Sequence, residues 1–291
     1  MNPTSTATRP SRVATHSRRA VHRHASWIDK LARIGYAAKA AVYVTIGVLA
    51  VMTAAGFGGD LTDSKGAIAA IGSKPLGGVF LVVLGIGLIG YTVWCIVFAW
   101  LDPDGEGTSG KALAKRIGML GSGLVHAGLA YTALHMALAG GSGGSGGSGG
   151  KQSVTAKLLQ QPFGALLIGI VGAAVIGYGV YQWVKAYRAD FTKLFKTEKM
   201  SRTVSRTSVR IGKAGIVARG VVFAIIGYFL IQTAVQADPS ETKGIDGALV
   251  ELANQPYGSW LLGAVALGVV AYGVYTLILA RYRRTVGKDR S

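Results

Sequence analysis

The stretch at residues 75–101, PLGGVFLVVLGIGLIGYTVWCIVFAWL, contains no Asp, Glu, Lys or Arg. A helix needs about 20 predominantly apolar residues to cross the roughly 30 Å hydrocarbon core of a bilayer. Five further stretches lack all four charged residue types and are long enough to span: 40–59, 117–150, 162–184, 220–237 and 252–280. Because lipid offers no hydrogen bonds to the backbone, the six segments predict an all-α transmembrane protein with six spans.

The composition supports a membrane protein over a soluble or disordered one. Half of the 291 residues are hydrophobic, 15% are charged, and the mean hydropathy is +0.40. A soluble domain carries about 25% charged residues, and a disordered chain lacks this much apolar surface. The single cysteine, Cys95, excludes a disulfide framework.

The net charge of +18 has a strongly uneven distribution along the chain. Of the 31 Lys and Arg, 24 lie in residues 1–33, 101–116, 185–213 and after 280, whereas the alternate loops at 58–75, 140–162 and 238–256 carry five. The positive-inside rule therefore predicts cytoplasmic N- and C-termini in the cell membrane. Anionic lipid headgroups are the expected partner of the basic face, with a protein partner or a second copy of the chain as open alternatives. Nucleic acid is excluded, because topology accounts for the charge and no binding motif occurs.

Three internal repeats organise the chain. The tripeptide Arg-Ile-Gly begins at residues 33, 116 and 210, and a proline opens the following span at residues 75, 162 and 256. This periodicity predicts three two-helix hairpins that form a six-helix bundle around a pseudo-threefold axis along the membrane normal. The expected units are a disordered basic tail at 1–30, repeat 1 at 31–105, repeat 2 at 115–190 with a Gly/Ser-rich outer loop at 140–150, and repeat 3 at 208–284.

With these motifs the chain resembles the bacterial membrane proteins catalogued as domain of unknown function 1206. The resemblance rests on the Arg-Ile-Gly openings, the Gln-Pro-Phe/Tyr-Gly helix starts at 161–164 and 255–258, and the Gly-Tyr endings, and it covers residues from about 32 to 284. The first repeat departs most, with Lys74 in place of the glutamine and Leu76 in place of the aromatic residue. The resemblance implies a six-span membrane protein without an assigned activity.

Two sets of residues recur in the repeats. An aromatic pair near the end of each even span predicts interfacial anchors, with ligand stacking as the alternative: Tyr91, Trp94, Tyr178, Tyr181, Tyr272 and Tyr275. Paired small residues predict close helix packing, with a narrow conduit lined by backbone as the alternative: Gly47, Ala50, Gly87, Gly90, Ala130, Ala133, Ala174, Gly177, Ala224, Gly227, Gly268 and Ala271. The segments 64–74, 153–161 and 244–255 predict short interfacial helices outside.

Few polar side chains occur within the spans, and none is acidic. Lys39 and Arg219 either extend their charges to the interface or line a basic vestibule. In the second case a stripe on the repeat template would include Lys39, Lys213, Ser122, Tyr43 and His126. Arg219, which the Arg-Ile-Gly register places off this stripe, is the remaining member of the candidate intramembrane polar site. His126 is either a hydrogen-bonded packing residue, a proton or substrate contact, or a redox ligand. His135 lies half a turn out of phase with His126, so the two histidines do not face one metal or haem.

These observations leave two functional classes open. No nucleophile, base and orienting group occur together, so we expect no enzyme, no catalytic residue, no metal and no cofactor. The first class is a structural, interaction or lipid-associated membrane protein. The alternative is a small transporter or channel with a weakly basic site on the pseudo-threefold axis. A solvated cavity at Lys39, His126 or Arg219 would favour transport, whereas a sealed, glycine-packed centre would favour the structural class.

Overall fold

The protein is built of nine α-helices in the part of the chain that the computed structural model describes, residues 12–101, 109–139, 148–195 and 200–282. Six of them are long and apolar enough to cross a membrane: α1 (Arg12–Ala54), α3 (Gly77–Leu101), α4 (Gly110–Leu138), α6 (Gly164–Tyr187), α7 (Arg202–Gln236) and α9 (Gly258–Tyr282). The predicted all-α fold with six spans is confirmed, and the protein is a multi-pass membrane protein.

Three short helices precede the even spans: α2 (Ser64–Gly72), α5 (Ser148–Leu159) and α8 (Ile245–Asn254). They match the expected interfacial helices, although α5 begins earlier than expected. We call the end of the bundle that carries them the loop end. The opposite end, where the odd spans begin, is called the basic end.

Two expectations about the termini of the elements are wrong. Residues 12–30 of the basic tail belong to α1 rather than being disordered, which the Ala- and Arg-rich composition of this segment favours. The even spans begin at Gly77, Gly164 and Gly258, two residues after each proline, rather than at the proline itself. The two short helices Asp190–Leu194 and Pro239–Glu241 are 3-10 helices.

A sharp turn explains the repeated Pro-x-Gly motif. The residue after each proline has a left-handed backbone, with φ of 62° at Leu76, 63° at Phe163 and 61° at Tyr257. At the next position, a Cβ on Gly258 would lie 1.9 Å from the Ala253 carbonyl oxygen, and Gly77 and Gly164 are equally tight. Only glycine allows each span to start directly beneath the helix that precedes it.

The spans pack in the order α4, α3, α1, α9, α7 and α6. The most extensive interfaces join spans of different repeats, namely α3 with α4, α6 with α7, and α1 with α9. Within repeats, α1 packs on α3 and α7 packs on α9, but no comparable interface joins α4 and α6 among the described residues. The three two-helix repeats are confirmed, but the two spans of repeat 2 do not pack on each other in the described structure, and the pseudo-threefold axis is not confirmed.

The loop end of the bundle interior is filled by an apolar core. Ala67 and Ile68 of α2 and Leu249 of α8 are fully buried there against aliphatic side chains of the spans, including Ile46 and Leu81. The interfacial helices thus cover the bundle from the loop end. Buried polar side chains occur at both ends: Asp63, Thr155, Thr233 and Thr242 lie at the loop end, whereas Lys39 and Gln182 lie toward the basic end.

Candidate functional site

The third repeat aligns with the first through Gly215 rather than Gly212. A Cβ on Gly35 would lie 2.6 Å from the Cα of Tyr91, and a Cβ on Gly215 would lie 2.4 Å from the backbone nitrogen of Tyr272. The two glycines therefore occupy the same structural position. The sequence alignment on Arg210 is wrong by three residues, because the true counterpart of Arg33 is Lys213.

This register places the two intramembrane cations at one repeat position. Arg219 follows Lys213 at the same distance as Lys39 follows Arg33, and Ser122 holds the equivalent position in repeat 2. One turn further along, Tyr43, His126 and Phe223 are likewise equivalent. Lys213 itself is exposed, so it does not belong to the predicted stripe.

Lys39 lies inside the bundle and contacts tyrosine side chains. Its side chain is 5% exposed, and its Nζ donates a hydrogen bond of 3.1 Å to the Tyr91 hydroxyl. The ammonium also lies 4.7 Å from the Tyr91 ring centroid and 5.9 Å from that of Tyr43. Lys39 therefore does not extend its charge to the interface, which was one of the two expected arrangements.

Arg219 has a similar aromatic environment. Its Nη1 donates a 3.3 Å hydrogen bond to the Tyr178 hydroxyl. Its guanidinium carbon lies 4.8 Å from the ring centroids of both Phe223 and Tyr272. Its Nε is buried and has no hydrogen-bond partner among the described residues. Cation–π contacts thus supply much of the stabilisation of this buried charge.

His126 packs at the edge of the same region. Its Nδ1 lies 2.7 Å from the Ser122 carbonyl oxygen, and its ring centroid lies 4.5 Å from that of Tyr91. The Ser122 hydroxyl in turn lies 3.4 Å from the Tyr91 hydroxyl. This geometry is that of a hydrogen-bonded packing residue. His135 is exposed and contacts Tyr131 instead.

All three repeat tyrosines contact the intramembrane cations, and two of them, Tyr91 and Tyr272, are buried. Tyr91 contacts Lys39, whereas Tyr178 and Tyr272 contact Arg219. The expectation of interfacial anchors is wrong for the members of the aromatic set that the structure buries: Tyr91, Trp94, Tyr272 and Tyr275. Sequence hydropathy alone does not distinguish a lipid-facing aromatic from one that faces a buried cation. The exposed residues Phe163 and Tyr257, in the turns of the loop end, are aromatic positions that the sequence reading did not single out as anchors.

Most of the small residues lie where two helices approach closely. A Cβ would clash with a neighbouring span at Gly47, Gly87, Gly227 and Gly268, and Gly90 lies close to Leu31. Ala50, Ala130 and Ala133 are buried, and Ala224 and Ala271 are partly buried. The exceptions are Ala174 and Gly177 of α6, which are exposed, so the prediction of a packing role is wrong for these two in the described structure.

Comparison with known proteins agrees with the repeat boundaries. The family model described as Domain of Unknown Function (DUF1206) matches residues 34–102, 117–189 and 214–283. The chain belongs to this family. Its third match begins at Ala214 and its first at Ile34, which is the register that the glycine contacts require.

A curated relative extends the family membership over most of the chain. The chain is 42% identical, over 257 residues, to "Uncharacterized protein YxxB" of Bacillus subtilis (strain 168). The similarity covers 88% of this chain and 92% of the relative. No solved structure matches the chain. Family membership therefore carries no activity to this protein, and the function has to be argued from the geometry.

The residues of this region favour binding of negative charge over metal or acid–base chemistry. The membrane-spanning parts of the six helices, Lys30–Ala54 in α1, contain no Asp or Glu, and among the described residues no group of three or more His, Cys, Asp and Glu could hold a metal ion. Lys115 lies near the start of α4 and Lys185 near the end of α6, so both lie toward the basic end, as Lys39 does near the start of the first span. The interior is therefore positive toward the basic end.

Proposed function

We propose that this protein is a lipid-associated membrane protein that holds an anionic phospholipid between α4 and α6. The observation that carries this proposal is the difference between repeat 2 and the other repeats. In repeats 1 and 3, equivalent helix surfaces pack α1 against α3 and α7 against α9. The corresponding surfaces of α4 and α6 in repeat 2 are exposed. We call this exposed surface the α4–α6 seam, and its members are Ile117, Gly118, Gly121 and Val125 on α4 and Ala174, Gly177, Tyr178 and Tyr181 on α6.

The exposure of the seam is specific to repeat 2. Tyr178 is 41% exposed, whereas its counterparts Tyr91 and Tyr272 are 4% and 6% exposed. Gly118, the counterpart of Gly35 and Gly215, has open space where they meet a tyrosine backbone. The small and apolar residues of the seam fit an acyl chain, because they offer close packing with few polar groups to desolvate. The hydroxyl of Tyr178, one of its two tyrosines, already accepts a hydrogen bond from Arg219.

The charges at the basic end of the seam identify the headgroup class. Lys115 lies near the start of α4 and Lys185 near the end of α6, so both lie at the basic end of the seam. With the basic end on the cytoplasmic side, as the positive-inside rule predicts, both lysines lie at the level of the inner-leaflet headgroups. Two lysines near a surface contribute about 2 kcal/mol toward an anionic lipid, which corresponds to about 30-fold in affinity.

The filled loop end supports this class over a channel. The core formed with α2 and α8 covers the interior, and glycines bring the spans of the closed interfaces into contact. Close helix packing therefore explains why small residues recur in the spans, without an open path through the bundle.

Native mass spectrometry of the detergent-purified protein tests the proposal. We expect phosphatidylglycerol to bind with a defined stoichiometry and phosphatidylcholine to bind about 30-fold more weakly. The double variant Lys115→Gln/Lys185→Gln should lose this preference, whereas the matched control Lys65→Gln/Lys157→Gln, at the loop end, should keep it.

A second pair of variants tests the seam itself. Gly121→Leu should block lipid binding by filling the seam, and Gly78→Leu, at another glycine with open space, should not. Equal binding of the two lipids, or equal effects of the two double variants, would refute the proposal. A dimer that buries the seam in place of lipid would assign the surface to a second copy of the chain and would refute it as well.

A further inference from the structure

A small cavity lies beside Arg219 in the bundle interior. Its volume is about 20 Å³, and its walls include Tyr43, Phe223, Tyr272 and aliphatic side chains such as Val222. Tyr43 and Tyr272 pack edge to face with their ring centroids 4.8 Å apart. The cavity therefore lies among the aromatic rings that surround the guanidinium.

The charge of this region is not balanced by the protein. The Nζ of Lys39 lies 5.9 Å from the ring centroid of Tyr43, and Tyr43 lines the cavity together with Arg219, so a second cation lies near the cavity. The membrane-spanning parts of the six helices contain no acidic residue, and the buried Nε of Arg219 has no hydrogen-bond partner in the described part of the chain. Buried charges without a partner of opposite sign are strongly unfavourable.

The size of the cavity selects the kind of anion. A volume near 20 Å³ on this measure accommodates about one water molecule. A dehydrated halide ion is little larger than water, whereas phosphate, sulfate or a lipid headgroup is much larger. The walls are mostly aliphatic and aromatic side chains with few polar atoms, and the hydrogen-bearing edge of an aromatic ring carries partial positive charge that suits an anion.

We infer that the cavity beside Arg219 is a binding site for one small monovalent anion of the halide class. Arg219 supplies the charge and an N–H donor, Tyr43 and Tyr272 supply ring edges, and Lys39 adds positive potential from beyond Tyr43. The site uses side chains outside the α4–α6 seam, so it does not depend on lipid binding.

Thermal unfolding of the full chain in detergent, monitored in sodium salts of equal ionic strength, tests this inference. We expect chloride and bromide to raise the melting temperature saturably relative to gluconate and sulfate, because an anion that binds only the folded state stabilises it. Broadening of the ³⁵Cl NMR line on adding protein to sodium chloride should titrate over the same concentrations.

Three variants locate the effect. Arg219→Gln should weaken chloride binding at least about tenfold, the equivalent of losing a charge-assisted hydrogen bond. Arg206→Gln removes the same charge from an exposed position of α7 and should leave binding unchanged. Val222→Ile keeps both cations but adds a methylene group toward the cavity, and it should abolish the chloride effect even if Arg219→Gln fails to fold.

Four results would overturn the inference. The first is an equal melting temperature in chloride and gluconate. The second is an equal loss in Arg206→Gln and Arg219→Gln, which would show general screening. The third is retention of the chloride effect in Val222→Ile, which would place the anion elsewhere. The fourth is saturable stabilisation by sodium phosphate without stabilisation by chloride, which would assign the site to a larger anion.

Discussion

Two glycines in equivalent motifs should respond in opposite ways to the same substitution. Gly35 and Gly118 both end an Arg-Ile-Gly tripeptide, at residues 33–35 and 116–118. An added Cβ on Gly35 would lie 2.6 Å from the Cα and the nitrogen of Tyr91, whereas an added Cβ on Gly118 would meet nothing within 4 Å. Comparing the stability of Gly35→Ala with that of Gly118→Ala therefore separates the effect of packing α1 against α3 from the intrinsic effect of replacing glycine by alanine in a helix.

The magnitudes follow from two opposing terms. Replacing glycine by alanine inside a helix gains about 1 kcal/mol at either position. At Gly35 the clash involves backbone atoms, which move only if α1 and α3 separate, so we assign the upper part of the overpacking range, about 3 kcal/mol. Gly35→Ala should then destabilise by about 2 kcal/mol and Gly118→Ala should stabilise by about 1 kcal/mol, a difference of roughly 6–12 °C in melting temperature.

The chain carries its own reporter for this measurement. Cys95 is the only cysteine and is fully buried, so a fluorogenic maleimide labels it only when the protein unfolds. Heating each purified variant with the dye gives the midpoint, and Gly215→Ala should behave like Gly35→Ala because its Cβ would lie 2.4 Å from the Tyr272 nitrogen. If Gly118→Ala lowers the midpoint as much as Gly35→Ala, the α4–α6 seam is closed in the membrane protein and the reasoning about repeat 2 fails.

Three further predictions concern other parts of the chain. Asp63 caps α2 by accepting hydrogen bonds from the amides of Lys65 and Gly66, so Asp63→Ala should lower the unfolding free energy by about 1 kcal/mol. Asp63→Asn should retain most of this stability, and equal melting temperatures for the Ala and Asn variants would contradict the capping role. Hydrogen bonds from Ser240 lower the pKa of Asp238. The contribution of Asp238 to stability is therefore present above the ordinary pKa of aspartate and is lost as the pH falls through the lower folded-state pKa. An NMR titration of its carboxyl carbon should show this lowered midpoint, and an ordinary midpoint would contradict the hydrogen bonds from Ser240. The thiol of Cys95 should react with maleimide at 25 °C many times more slowly in the folded protein than in denaturant, and rapid labelling of the folded protein would show that the α3–α4 interface opens.

The spans and their number were predictable because each is a long stretch without charge. Lipid permits only helices whose backbone groups are satisfied internally, so a stretch such as 75–101 has one available structure. The three-repeat organisation followed from the spacing of short motifs. The register of repeat 3 could also have been found from sequence, because Arg219 follows Lys213 as Lys39 follows Arg33, and Gly227 follows Lys213 as Gly47 follows Arg33.

The environment of the candidate site was not predictable in the same way. Tyr91 and Tyr272 have the spacing of interfacial anchors, yet each contacts a buried cation. In a membrane the surface that faces lipid is as apolar as the surface that faces another helix, so hydrophobic periodicity does not assign the two faces. The predicted stripe includes Lys213 because it aligns repeat 3 with repeat 1 through Arg210. The close contact of Gly215 with Tyr272 shows that this alignment is wrong.

By itself the sequence determined that this protein has six spans in three repeats and that its positive charge is concentrated at one end, because hydrophobic length, motif spacing and charge are local properties of the chain. Only the tertiary structure decided that the most extensive interfaces join different repeats, that α4 and α6 remain apart, and that Lys39 and Arg219 both contact tyrosine rings. Those outcomes depend on where a glycine lets the backbone of a neighbouring helix approach closely, as Gly35 does for Tyr91 and Gly215 does for Tyr272. Such contacts join positions that are far apart in the chain and have no local signal.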